Sequence, residues 1–485
     1  MLMQTPPPSK VNERDAVTAD LCILGAGPGG IALAIAAASL GQSVVLVEKG
    51  PMGGASLNAG SVPANALYAI ADRAHAIRSA TPYAITASEP AVDRARVEAY
   101  VRETIEICAP NASAERLRGL GVQVVQAAGR FTDPKTVVAG EVRITARRFV
   151  IATGASPVIP PLAGLDTVPY FTTDTVFAHR GPIEHLVVIG GGAAGAALAQ
   201  AHRRLGARVT LVDRSSVLAR FDPELAAAVR GRLEAEGVVV LEATQPMAVD
   251  GVAGRLRLDV VREGVRSCIE GTHLLLACGR RPAINEIGLD AAKIAVTEDG
   301  VKVNRILRTT NRRVFALGDV IGTPHSAHRA AYHAAQLTRS LLYRSAAAVD
   351  ARLVPSVVHT DPELATVGLS EAEARTTLSS IKVLRWPLRE NIRALANRTS
   401  AGHIKVITDA RGTIFGAAIV AGSASDLIGV WALAISKGLT LDDMSAWVAP
   451  HPSLSEVSVT VARQRGAALG HAVARRWVRL LSRLG

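Results

Sequence analysis

Cysteine is scarce in this chain, with four in 485 residues: Cys22, Cys108, Cys268 and Cys278. They lie far apart and none has CxxC or other metal-ligand spacing, so no metal site is expected. The pattern fits a reducing compartment, and Cys22, inside an apolar strand, reads as a small core residue. Aromatic residues make up only 4% of the chain, while Ala, Gly and Val are abundant, which suits helices packed closely on a sheet. No charge-free run of about 18 apolar residues with membrane-like flanks occurs, and no membrane span is expected. Met1 to Asp15 is polar and Pro-rich, without the apolar core of a signal peptide. It reads as a loose tail, and a cytoplasmic location is expected. Acidic residues are also in deficit: 42 Asp+Glu against 54 Lys+Arg give +12 and a pI near 10.0. A basic balance favours anionic partners. The arginines are scattered, however, and no dense basic cluster precedes the C-terminal tail, so no nucleic-acid partner is expected.

The chain is 49% hydrophobic and 20% charged, a globular composition. At roughly 150 residues per domain, the length predicts about three domains. The first unit opens with a strand at Leu21–Leu24, then Gly25-Ala26-Gly27-Pro28-Gly29-Gly30, an Ala-rich helix, and a strand at Ser43–Val47 ending in Glu48. A second βαβ unit begins at Leu186–Ile189. It continues through Gly190-Gly191-Gly192-Ala193-Ala194-Gly195 to a strand at Val209–Val212 ending in Asp213. Beyond about Asp350, strands (Ile404–Ile407, Ile414–Val420) alternate with helix (Ser425–Ser436) without a glycine fingerprint, which predicts a separate α+β domain. After Gly470, Val473, Trp477, Leu480, Leu481 and Leu484 share one helical face, with Arg475, Arg476, Arg479 and Arg483 mostly on the other. That amphipathic tail predicts peripheral contact with an anionic membrane surface or docking on a protein partner.

The two glycine loops carry chemistry. In a G-x-G-x-x-G loop, glycine allows a tight turn and close approach to a pyrophosphate, and the next helix offers N–H donors at its positive end. Gly25, Gly27 and Gly30 form the first loop, with Glu48 placed to accept ribose hydroxyls. Gly190, Gly192 and Gly195 form the second, with Asp213 as the acid. An acid there favours NADH over NADPH, because it repels a 2′-phosphate; Arg214, directly after it, softens that preference.

Further motifs follow in order: Ala152-Thr153-Gly154, Ala277-Cys278-Gly279-Arg280-Arg281-Pro282, Leu317-Gly318-Asp319-Val320, Thr360-Asp361-Pro362-Glu363, Val367-Gly368-Leu369-Ser370 and His451-Pro452-Ser453-Leu454-Ser455-Glu456. With the two loops, they make the chain resemble the flavoprotein disulfide reductases over about residues 18 to 465. The resemblance implies an α/β fold with two Rossmann-like domains, for FAD and NAD(P), and a C-terminal α+β dimerisation domain. The boundaries it implies are 1–17 for a flexible tail, 18–155 with 286–350 for the FAD-binding domain, and 156–285 for the NAD(P)-binding domain. Residues 351–465 would be the dimerisation domain and 466–485 the basic tail. It further implies a homodimer, FAD on Asp319 and the first loop, and a helix near Ser326 aimed at the flavin. Thr153, Gly154, Gly279, Arg280 and Gly318 belong to the motifs that would line the cofactor sites. His451 would be an acid–base group delivered from the partner subunit and oriented by Glu456. His328 and His359 read as structural.

The departures from the family pattern are specific. Its G-G-x-C-x4-C-x3-K run appears here as Gly53-Gly54 with Ser56, Ser61 and Asn65. The resemblance implies that Ser61 would take the position against the flavin and Ser56 the one facing the substrate. The Glu common two residues after the last glycine of the second loop is Ala197. The family's Lys and Glu form a pair, and losing both avoids stranding one buried charge. The leading expectation is therefore an FAD-dependent NAD(P)H oxidoreductase without a redox disulfide, passing electrons to a quinone, a nucleotide or a carrier protein. The alternatives are an activity of the dihydrolipoamide dehydrogenase or mercuric reductase type, and a low-turnover flavin-binding protein with a sensory or docking role.

Overall fold

A computed structural model describes residues 16–464 and Ser482. The amphipathic tail expected after Gly470 lies outside the described residues, apart from Ser482. Among the described residues, no helix is long and apolar enough to cross a membrane.

The first sheet is built on the strand Ala16–Leu24. It runs parallel to Val44–Glu48 on one side and Val142–Ile151 on the other. Val122–Gln126 extends it beyond Val44–Glu48, and the late strand Val314–Ala316 returns to pair with Val142–Ile151. These strands are apolar almost throughout because both faces are covered, one by the helices Pro28–Ser39 and Ala327–Leu337 and the other by the antiparallel strands Gly129–Asp133 and Thr136–Ala139 with residues 287–301. The first strand starts at Ala16, before the expected end of the tail: Val17 is already in register with Ile144. Ala16 to Ala19 pair with Arg143 to Ala146, so the strand takes in the last residues assigned to the tail.

The second sheet is also parallel, in the spatial order Val238–Leu241, Arg208–Val212, His185–Ile189, His273–Leu276 and Phe171–Thr172. An antiparallel meander over Thr244–Val252, Arg255–Arg262 and Val265–Gly271 adjoins it. The chain passes between the two sheets twice. The two crossings pair as short antiparallel strands, Ala155–Pro157 and Arg280–Pro282. The third sheet is antiparallel, Ser356–Val358, Glu363–Gly368, Ile414–Ala421, His403–Thr408 and Lys382–Pro387. The helix Ala424–Lys437 covers it, burying Ile428 and Trp431. This is the expected α/β architecture with a C-terminal α+β unit.

Candidate functional site

The two glycine loops have the same backbone design. Gly25 and Gly190 sit at φ 110° and 111°, a region open to glycine. A Cβ at either would collide with the carbonyl oxygen of the crossing strand, Ala152 or Ala277. Gly30 and Gly195 are locked differently, since a Cβ would strike the carbonyl oxygen of Gly25 or Gly190. The middle glycines, Gly27 and Gly192, have ordinary φ of −74° and −70°. A Cβ on either would meet no protein atom within 4 Å. No protein atom therefore requires glycine there, which leaves room for the close approach of a ligand. Each middle glycine is also the N-cap of a 12-residue helix, Pro28–Ser39 or Ala193–Arg204, whose first amides are free for an anion.

The acids after each second strand support the loops. Glu48 Oε2 accepts the Ala26 amide at 2.6 Å, and Asp213 Oδ2 accepts the Gly191 amide at 2.6 Å. Their second oxygens accept Gly50 N and Ser215 N. A carboxylate has about four acceptor positions, so both can still bind a ribose hydroxyl. Arg214 stands beside Asp213 at the second loop, and both act electrostatically on Cys278.

A cavity of about 800 Å³ opens along the first loop. Gly25, Gly27, Gly30 and Glu48 line it, as do Gly318 and Asp319. Thr153, Gly154 and Arg280 line it at the crossing, and Ser56 and Ser61 also face it. Ser56 lies on the short helix Gly54–Asn58, and Ser61 opens the helix Ser61–Arg78. Asn65 is exposed, and its amide donates to the Ser61 carbonyl oxygen at 2.7 Å. Ala197 is buried in its helix. No cysteine lines this cavity. Cys22 is buried in the first sheet, its thiol pushed up to about 12 by burial, and Cys278 is held at about 11 for the same reason.

The crossing has several roles. Thr153 Oγ1 donates to the Ala283 carbonyl at 2.8 Å, and the Gly154 and Gly279 carbonyls accept Ala283 N and Val158 N, each at 2.9 Å. Arg280 is committed to the protein: its guanidinium bonds Asp174 at 2.5 and 3.2 Å and the Ala155 carbonyl at 2.6 Å. It braces the cavity wall against the second sheet. Asp174, its partner, was not singled out by sequence reasoning, because only the fold brings a residue 106 positions away to it.

Asp319 Oδ1 accepts the amide of Ser326, the N-cap of the helix Ala327–Leu337. The helix start therefore faces the cavity as the resemblance implied. His328 caps the Pro355 carbonyl at 2.7 Å and His359 pairs with Glu363 at 3.2 Å, both structural contacts. His325, which does line the cavity, was missed; its one signal is its place directly before the N-cap.

His451 Nδ1 meets Glu456 Oε1 at 2.8 Å, and Glu456 Oε2 accepts Ser453 N at 2.9 Å. The Ser453 amide, then His451, hold the Glu456 carboxyl below its ordinary range. The pair is formed, and it lies away from the cavity of its own chain.

A dinucleotide cradle beside a deep cavity, a second cradle on a parallel sheet, and a separate antiparallel unit define a two-nucleotide flavoenzyme architecture. The pyridine nucleotide-disulphide oxidoreductase model matches residues 19–334, and the dimerisation-domain model of the same family matches residues 354–462. A mercuric reductase from Streptomyces lividans is 35% identical over 90% of this chain and 94% of that protein. A dihydrolipoyl dehydrogenase from Geobacillus stearothermophilus is 31% identical over 92% and 96%. The crystal structure of LpdA from Mycobacterium tuberculosis superposes with a TM-score of 0.84 at 26% identity, covering 92% of this chain and 99% of that one. The chain belongs to the pyridine nucleotide-disulphide oxidoreductase family, enzymes that bind FAD and use NAD(P)H, and its dimerisation domain supports a homodimer. The middle-glycine gap, the free helix amides and the size of the cavity fit FAD in the first site.

Proposed function

We propose that this enzyme takes electrons from NAD(P)H, with NADH favoured, and passes them through FAD to an acceptor that is not a disulfide. A quinone, a nucleotide or a carrier protein meets that description. The reading rests on one observation: the cavity wall carries Ser56 and Ser61 and no cysteine. A serine hydroxyl forms no disulfide and holds no electrons, so a thiol relay has no atoms to run through.

FAD, when bound, supplies the redox chemistry. This chain's residues would bind and orient. Gly25, Gly27, Gly30, Glu48 and Asp319 would hold FAD, with Ser61, Thr153, Gly154, Gly279, Arg280 and Gly318 shaping its site. Gly190, Gly192, Gly195, Asp213 and Arg214 would hold the nicotinamide nucleotide. On this reading residues 18–155 with 286–350 form the FAD-binding domain, 156–285 the NAD(P)-binding domain and 351–465 the dimerisation domain. His451, oriented by Glu456, would deliver a proton to the acceptor across the dimer. The basic residues after 465 would bring the enzyme to an anionic membrane surface.

Anaerobic mixing with NADH tests the reading. Loss of the oxidised-flavin absorbance, followed by its return on adding a quinone or dye acceptor but not lipoamide or glutathione disulfide, is expected. Absence of bleaching by NADH and NADPH, or turnover of a disulfide, would overturn it.

A further inference from the structure

Behind the His451–Glu456 pair stands Asn391, a polar side chain buried at 5% exposure. The His451 ring is 64% exposed, so its direction is set by its bond to Glu456 and not by enclosure. Glu456 is in turn aimed by residue 453: its Oε2 accepts the Ser453 amide at 2.9 Å, while its Oε1 meets His451 Nδ1 at 2.8 Å. Asn391 fixes Ser453. Its Nδ2 donates to the Ser453 carbonyl oxygen at 2.9 Å, across 62 positions of sequence. Its Oδ1 accepts the Ala394 amide at 2.9 Å as the N-cap of the helix Ile392–Ala396, and its own amide donates to the carbonyl oxygen of the buried Leu388 at 2.9 Å. Arg393, on that helix, donates through Nη2 to the Pro452 carbonyl oxygen at 3.3 Å. That carbonyl shares a peptide group with the Ser453 amide, and a donor on the oxygen polarises the N–H that faces Glu456. An ionised carboxylate only accepts, and the bond made by one ring nitrogen decides which nitrogen of a neutral imidazole holds the proton. Glu456 therefore keeps a proton on His451 Nδ1 and leaves Nε2 as the working atom.

We propose that Asn391 is a positioning residue for this pair: by holding Ser453 it aims the Glu456 carboxylate, which keeps His451 protonated on Nδ1 and presents Nε2 to the electron acceptor. The proton balance follows. Both nitrogens of the imidazolium carry protons. The Nε2–H bond breaks as that proton passes to the two-electron-reduced acceptor, and the neutral ring left behind is the Nδ1-protonated form already bonded to Glu456. Solvent restores the Nε2 proton. A pair fixed in advance stabilises the product of the transfer without reorganisation at the moment it occurs. The inference rests on the reading in which His451 delivers that proton.

The test uses FAD-loaded protein with ¹⁵N-labelled histidine, at a pH where His451 is neutral. The His451 signals are assigned by their loss in His451→Gln. Asn391→Ser keeps an oxygen for the helix N-cap and removes the donor to Ser453. Asn391→Asp also keeps the cap and removes the donor, and it carries the test if Asn391→Ser does not fold. Wild type is expected to hold the proton on Nδ1, and either variant to move part of the population to Nε2, read from the two ¹⁵N shifts. A wild-type proton mainly on Nε2, or populations unmoved in the variant, would overturn the proposal. Reoxidation of the dithionite-reduced protein by 1,4-benzoquinone gives a second readout. Asn391→Ser is expected to slow it about threefold or more with His451 present, and by less than about twofold in a His451→Ala background. Equal slowing in both backgrounds would mark a purely structural role and overturn the proposal. If His451→Ala itself leaves the rate unchanged while the Asn391 variants still move the proton, the proton-delivery reading fails and the anchoring of the pair by Asn391 stands.

Discussion

The Gly318 amide donates a hydrogen bond to His333 Nδ1 at 3.1 Å, both groups being buried. The loop that bears Asp319 is thus held by an imidazole that must stay neutral to accept. Burial, then the nearby Arg329 charge, pushes His333 down to about 4. The unfolded value is near 6.5. Between those values the unfolded chain binds the extra proton, so stability falls with acid there and is intact above about 6.5. His202, held at about 3 by burial and by Arg94, acts in the same direction. His333→Gln keeps an acceptor and removes the titration. Its melting temperature is expected to depend less steeply on pH between 6.5 and 4 than wild type, read by thermal melts with FAD fluorescence. Equal slopes would contradict the assignment.

Gly192→Ala separates fold from binding. Its Cβ would meet no protein atom at an ordinary φ, so the stability loss should be limited to that of a poorer N-cap, about 1 kcal/mol or less. The KM for NADH should rise at least about tenfold, roughly 1.4 kcal/mol of lost binding. Gly195→Ala, by contrast, collides with the Gly190 carbonyl and is expected to unfold the loop. Steady-state kinetics beside chemical denaturation checks both.

A thiol count addresses the disulfide directly. All four cysteines are free, and none borders the flavin cavity. Denatured protein is expected to titrate as four thiols per chain before and after anaerobic reduction by NADH. A gain of two thiols on reduction would reveal a redox disulfide that the serines should exclude.

Arg204 ties three regions together and is 3% exposed. Its guanidinium meets Asp72 on the Ser61–Arg78 helix at 2.6 Å, Glu236 at 2.6 Å and Asp361 at 2.8 Å. Burial opposes the charge, but Glu236, then Asp361, hold its pKa above the ordinary arginine value. Arg204→Met leaves the 6%-exposed Glu236 with Arg232 and Gln200 as its remaining partners, so the expected loss is smaller than the roughly 3–5 kcal/mol of a fully uncompensated buried charge. Adding Glu236→Gln should recover part of it. Urea unfolding of single and double variants measures the coupling.

Local periodicity and turn chemistry made both βαβ units, their acids and the third domain legible, because those signals depend on neighbours within about 30 residues. The substitutions at Ser56, Ser61, Asn65 and Ala197 were equally legible, being identities at positions of a known pattern. Sequence alone therefore determined the fold class, the two nucleotide cradles and the missing sulfur. Tertiary structure decided what faces what. It showed that Gly27 and Gly192 border open space while Gly30 and Gly195 are locked, a distinction invisible in a row of glycines. It committed Arg280 to Asp174 instead of leaving it free, and it turned His325, not His328, into the cavity wall. These relations join residues far apart in the chain or turn on the direction of a single side chain. Neither is set by local preference; both follow from how the sheets and helices close on one another.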